Sequence, residues 1–356
     1  MSVLSIPAAA WRAGLALSAA LALSASGAQA RPPAKPAAAF EAPIAQGPKP
    51  WTHERFDDAP QSFSFAVVAD LESGYRPGVF EVAVAELSLL RPAFIMTVGD
   101  MIEGGVEDEA ELERQWTAFD AMVARAPAPF FHVAGNHDMV NLTQREVWER
   151  RYGRRYYHFL YKDVLFLVLD TEDYPDAKMA EISRERTAYL AQKKVDLAAA
   201  RKLPYAARSE TKTGEISQAQ SAYFEKVLAD HPKVRWTVAI MHKPVYARSD
   251  GLGFGRIEQA LQGRRYTVLN GHLHRYAYAE HKGQDYIMLG TTGGERAFDG
   301  SRGYLDHVMW ITMGADGPSI ANLRLDGVLD KTGEIPAGGA ALCLGSGGSN
   351  CPAPAR

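Results

Sequence analysis

The feature that most constrains this chain is a series of short apolar runs, each stopping at a polar residue or a glycine. Phe63 to Ala69 stops at Asp70, Ala93 to Val98 at Gly99-Asp100, and Phe130 to Ala134 at Gly135-Asn136-His137-Asp138. Val164 to Leu169 stops at Asp170, and Trp236 to Met241 at His242. Tyr266 to Leu269 stops at Asn270-Gly271-His272, and Tyr286 to Leu289 at Gly290-Thr291-Thr292. Runs of this length, rich in β-branched and aromatic residues, predict buried strands. Helical spacing of apolar residues lies between several of them, at Val79 to Leu90, Glu109 to Arg125, Glu146 to Arg151 and Gln218 to Ala229. The alternation predicts an α/β core with strands covered on both faces. From about Tyr286 to Gly327 strand-like runs follow one another without helices, which predicts an antiparallel or mixed part of the sheet system.

The residues that end the runs carry the chemistry. Loops at the carboxyl ends of strands in an open α/β sheet gather into one crevice. Asp70, Asp100, Asn136, His242, His272 and His274 all sit just after a strand-like run and are expected to converge there. Carboxylate, amide oxygen and imidazole together suit zinc, manganese or iron. Six ligand-type residues exceed what one tetrahedral ion needs, so two ions are the natural reading. An aspartate can bridge two ions, while neutral imidazoles and an amide hold them without cancelling their charge. Such a pair lowers the pKa of a shared water and neutralises charge on a phosphoryl group.

The ordered blocks Gly99-Asp100, Gly135-Asn136-His137-Asp138, Met241-His242 and Gly271-His272-Leu273-His274 resemble those of calcineurin-like metallophosphoesterases, over roughly Phe63 to Gly327. The resemblance implies a four-layer α/β/β/α sandwich. It also implies hydrolysis of a phosphomonoester or phosphodiester by a hydroxide bridging two divalent or trivalent ions (Mn, Fe or Zn). By motif, Asp100 would bridge the ions. Asn136, His242 and His272 would complete one site, and Asp70 and His274 would hold the other. His137 matches a catalytic histidine that protonates the leaving oxygen or steadies the phosphate, and Glu103 stands where an aspartate usually orients that histidine. The first block departs from the family's Asp-x-His, reading Asp70-Leu71-Glu72. Either Glu72 supplies an oxygen ligand or water fills the position and that metal binds more weakly. Arg248, Arg275 and Arg296 follow motif strands and are candidates for contacting phosphate. His53, His132, His158, His231, His281 and His307 lack motif support and read as structural or exposed, His132 as a sheet residue. The clustered aromatics from Tyr152 to Tyr161 read as core and hairpin packing.

Around this domain, Arg12, the small apolar stretch Ala13 to Ala25 and the Ala28-Gln29-Ala30 cleavage pattern predict a signal peptide over residues 1–30 and an exported mature protein without a transmembrane segment. Residues 31–62 read as a Pro/Ala-rich linker and polar lead-in, 63–327 as the phosphoesterase domain, and 328–356 as a flexible tail. The tail holds both cysteines, Cys343 and Cys351, which an oxidising compartment would allow to pair. Residues 173–217 form a long polar insertion, with an exposed helix expected at Arg184 to Lys202 and either a substrate-access role or a solvated surface role. A formal net charge of -3 and the lack of a basic run give no hint of a nucleic-acid footprint, and the resemblance implies a small-molecule phosphoester as the partner. A non-catalytic binding protein on a degenerate scaffold, or an envelope accessory protein using the insertion, are the alternatives.

Overall fold

Two sheets are built from the apolar runs, in a computed structural model that describes residues 40–44, 46–56, 62–295, 303–325 and 327–332. The strands are β1 (Phe40–Glu41), β2 (Phe63–Val68), β3 (Ile95–Thr97), β4 (Phe130–Phe131), β5 (Tyr157–Tyr161), β6 (Val164–Val168), β7 (Trp236–Ile240), β8 (Tyr266–Asn270), β9 (Ala277–His281), β10 (Gln284–Met288), β11 (His307–Met313), β12 (Pro318–Arg324) and β13 (Gly327–Asp330). The first sheet has the order β1-β5-β6-β7-β8-β10-β9, with β6, β7, β8 and β10 parallel and antiparallel strands at both edges. The second has the order β13-β12-β11-β2-β3-β4, with β2, β3 and β4 parallel and the rest antiparallel.

The helices are α1 (Val79–Leu90), α2 (Glu109–Val123), α3 (Leu142–Tyr152), α4 (Asp176–Val195), α5 (Leu197–Ala200), α6 (Pro204–Ala207), α7 (Glu210–Thr213), α8 (Gln218–Asp230) and α9 (Gly255–Ala260). Local chemistry sets several starts. Asp108 caps α2 by accepting from Ala110 and Glu111 N–H, Asn141 caps α3 through Gln144 N–H, and Ser217 caps α8 through Gln220 N–H.

The core explains why the strands read as unbroken apolar runs. Phe65, Phe94 and Phe131 face Phe159 and Phe166 between the sheets. Phe159 and Phe166 stack with centroids 4.6 Å apart. On the other face of the second sheet, Ala66, Val68 and Ile95 meet Phe80 of α1, Trp116 and Phe119 of α2, and Trp148 of α3. The outer face of the first sheet, with Leu165, Leu167 and Val268, is covered by Phe224 and Leu228 of α8 and Ile257 of α9. The central strands of both sheets are therefore buried on both faces, and the architecture is the expected four-layer α/β/β/α sandwich. Burying each of these phenylalanines contributes about 1.5–3 kcal/mol.

Several boundaries differ from the sequence reading. Residues expected to be linker supply β1, which pairs with β5, and Trp51 bridges Phe131. Phe40 packs edge-on against Trp51 at 5.3 Å, so two isolated aromatics hold a segment too short to show periodicity. β13 extends into the segment expected to be tail. The insertion is helical from Asp176, earlier than expected, because Met179 and Ile182 anchor the first turns of α4. The signal peptide, part of the linker, most of the tail, Cys343, Cys351 and Arg296 lie outside the described residues.

Candidate metal centre

The carboxyl ends of parallel strands from both sheets meet at one place. Asp70, Asp100 and Asn136 follow β2, β3 and β4, while His242 and His272 follow β7 and β8. Potential ligand atoms group as Asp100, His242 and His272 in one cluster and Asp70, Asp100 and His274 in the other, each within 4.8 Å. Asp100 belongs to both. The backbone is bent hard to achieve this: Asp70, Asp100, His272 and His274 have φ of 42°, 60°, 80° and 51°. Left-handed backbone in non-glycine residues stores strain and concentrates at functional sites. The glycines of the motifs make room for close approach. A Cβ at Gly135 would overlap Asp100 Oδ1, and one at Gly271 would overlap Asp70 Oδ2.

Each histidine of the site has one ring nitrogen pinned by a main-chain carbonyl. His242 Nδ1 donates to Val98 O at 2.8 Å, His137 Nδ1 to Glu103 O at 2.7 Å, and His272 Nε2 to Thr211 O at 2.8 Å. His274 Nδ1 donates to Glu295 O. A carbonyl only accepts, so these bonds fix the tautomer of each neutral ring and leave the opposite nitrogen as a lone pair. The consequence is plainest at His242. Its Nε2 lies 3.1 Å from Asp100 Oδ2 and 3.2 Å from Asn136 Oδ1. Two oxygens that accept therefore face this nitrogen, an arrangement satisfied either by a proton on Nε2 or by a metal ion held by all three atoms. Divalent or trivalent ions of the Mn, Fe or Zn class fit this mixed nitrogen and oxygen donor set.

The charges follow from burial and proximity. Burial opposes ionisation of Asp100, but His242 and His137 hold its carboxyl well below the usual range. Burial pushes Asp70 up to about 6 against the pull of His274 and His242. Burial opposes protonation of His242, yet the Asp100 carboxylate lifts it to about 9, a proton taking the place a metal ion would occupy. Burial and the neighbouring His242 keep His272 well below its ordinary value, hence neutral.

Two expected participants stand differently. Glu72 is in neither cluster. It shares a hydrogen bond with the Glu103 side chain, and burial with that second carboxylate pushes it up to about 8. Glu103 meets His137 through its carbonyl rather than through the carboxylate expected from the motif. The turn is held that way because Gly104 N–H donates to Gln115 and Gly105 N–H to Gln144. Arg248 is engaged by Asp250 and the Gly214 carbonyl, so its guanidinium serves the scaffold, and Arg275 is exposed. His132 is buried just after β4, stacked on Tyr152 at 4.1 Å.

Three contributors carry no role in the sequence reading. Asp138 is fully buried and accepts from the N–H groups of Asp100, Met101, Ile102 and Gly135. Its place in the Gly135-Asn136-His137-Asp138 block was the available signal. The carbonyls of Val98 and Thr211 had none, because any residue type supplies a carbonyl. His137 N–H donates to Asp100 Oδ1 at 2.7 Å, which makes the histidine and the shared carboxylate one mechanical unit.

The chain belongs to the calcineurin-like phosphoesterase family, whose model matches residues 63–276. In general terms it is a metal-dependent phosphoester hydrolase. Among solved structures, it is similar to a dimetal phosphatase from Danio rerio, with 16% identity, TM-score 0.55, and coverage of 77% of this chain and 99% of that one. It is also similar to the purple acid phosphatase PPD1 from yellow lupin (Lupinus luteus) seeds, with 13% identity, TM-score 0.50, and coverage of 78% and 54%. At these identities the likeness shows the fold. No curated protein matches the chain.

Proposed function

We propose that this protein hydrolyses small phosphate esters at a two-metal centre, with Asp100 shared between the ions. Asn136, His242 and His272 would complete one site; Asp70 and His274 would hold the other with fewer protein ligands. The ions, when bound, supply Lewis acidity and an activated water at neutral pH. The chain's own residues supply the rest. Main-chain carbonyls orient the ligating rings, and Asp138 holds the loops that carry Asp100 and Asn136. His137 keeps its Nδ1–H on the Glu103 carbonyl throughout. With a second proton on Nε2, the ring would give that proton to the leaving oxygen, or hydrogen-bond with it to a phosphate oxygen, and return to the neutral Nδ1–H form.

The observation that carries this reading is the closeness of His242 Nε2 to Asp100 Oδ2 and Asn136 Oδ1, beside a second cluster that shares Asp100. Arg12, the apolar stretch after it and the Ala28-Gln29-Ala30 pattern support action outside the cytoplasm. Among the described residues no helix is long and apolar enough to cross a membrane. A panel of p-nitrophenyl phosphate and bis-p-nitrophenyl phosphate, run with and without a chelator, tests the proposal. Chelator-sensitive turnover of either ester is expected, and which one turns over decides between monoesterase and diesterase. Activity unaffected by complete metal removal would overturn it.

A further inference from the structure

The insertion that leaves the fold after β6 does not lie apart from the metal centre. Its two ends are joined by a bridge between Glu172 and Glu215 and by Glu215 N–H donating to Thr171 O at 2.9 Å. Between them, α7 is carried onto the site, where the Thr211 carbonyl accepts from His272 Nε2 at 2.8 Å. The insertion therefore fixes the Nε2–H tautomer of neutral His272 and leaves Nδ1 as the lone pair the ring can offer to the cluster with Asp100 and His242.

Beneath α7 lies a buried cation. Lys243 follows His242 directly in sequence and is 4% exposed. Its Nζ sits 2.6 Å from Glu172 Oε1 and donates to the Glu210 carbonyl at 3.0 Å, one residue before Thr211. Its backbone N–H donates to Thr171 Oγ1 at 3.2 Å. All three partners belong to the base or the return of the insertion. A second cation, Lys178 of α4, pairs with Glu210 at 2.8 Å and with Glu215, and Arg248 donates to Gly214 O at 2.6 Å. Burying a lysine is expensive unless it is paired and hydrogen-bonded. This one spends its charge tying α7 to the residue beside a candidate ligand.

We infer that the insertion is part of the metal centre, with Lys243 the positioning residue that holds α7 so that Thr211 fixes His272 for the ion shared with Asp100 and His242. The inference rests on the proposed role of His272 as a ligand. Outer partners that orient a ligating histidine are worth about 10–100-fold in metal affinity. The test uses the full chain carrying Lys243→Met with Glu172→Gln, which removes both buried charges together. A second variant replaces Glu210–Thr213 by four glycines. Both are checked for folding by circular dichroism and titrated as metal-free protein with Co2+ against a chelator. Long-range 1H–15N spectra report the His272 tautomer without any metal.

The expected result is one Co2+ site weakened about 10–100-fold with the other retained, and a His272 ring that no longer holds the Nε2–H form alone. A control His272→Ala separates the two layers. If it binds both ions as the unaltered protein does, the ligand assignment fails and the inference falls with it. If it loses an ion while both insertion variants keep normal affinity and the Nε2–H tautomer, the inference alone is overturned.

Discussion

Replacing Asp138 with asparagine probes how the metal-facing loops are held. Asp138 Oδ2 accepts from Asp100 N at 2.8 Å and Gly135 N at 2.8 Å, and Oδ1 accepts from Met101 N at 2.9 Å and Ile102 N at 3.2 Å. Asparagine keeps the shape but has only one acceptor oxygen. Whichever way it turns, two of these main-chain N–H groups lose their acceptor and face an NH2 group. Burial and the Asp100 carboxylate push Asp138 up to about 7, so above that pH it is charged; hydrogen bonds to a charged group are worth about 1.5–3 kcal/mol each, and losing two there costs about 3–6 kcal/mol. A typical domain is stable by about 5–15 kcal/mol in total. Asp138→Asn should therefore lower the urea midpoint substantially while leaving the slope unchanged, and Asp138→Ala should lower it further. Unfolding followed by tryptophan fluorescence measures both. A loss under about 1 kcal/mol for the asparagine variant would refute the claim that this carboxylate braces the loops.

Three other outcomes are expected. His137→Ala should keep both metals and lose about 10²–10⁴-fold in turnover, read by elemental analysis beside steady-state kinetics; loss of metal would instead make it a ligand. Gly271→Ala should reduce metal content, because the new methyl overlaps Asp70 Oδ2, and normal metal content would show that the loop gives way freely. Burial lowers His132 to about 4, so the folded state takes up its proton later than the unfolded state does. Its contribution to stability is then full above pH 6.5 and falls by up to about 3 kcal/mol as the pH drops towards 4; His158 and His307 act over the same window, so His132→Phe should reduce the slope by its own share, and an unchanged slope would contradict it.

The strands and the order of the site were legible because each rests on residue type. Phe63 to Val68 or Val164 to Val168 had to be buried on both faces, and an apolar run says so directly. Asp100, Asn136 and His242 were legible because strand ends gather side chains at one edge. What the sequence hid was carried by main chain. The carbonyls of Val98, Glu103, Thr211 and Glu295 orient four histidines, and no residue choice marks a carbonyl. That is why Glu103 was expected to act through its carboxylate. The same reason hid the contact between the insertion and His272, which joins residues 61 apart in sequence. β9 was also hidden, since its side chains are mostly exposed and give no apolar run.

The most direct measurement is metal content of the purified protein and of Asp100→Asn, by elemental analysis after exhaustive dialysis. Two ions per chain are expected for the unaltered protein, with loss of both turnover and metal in the variant, because Asp100 stands in both ligand clusters. Two tightly held ions in Asp100→Asn, with turnover intact, would contradict a centre built around that aspartate.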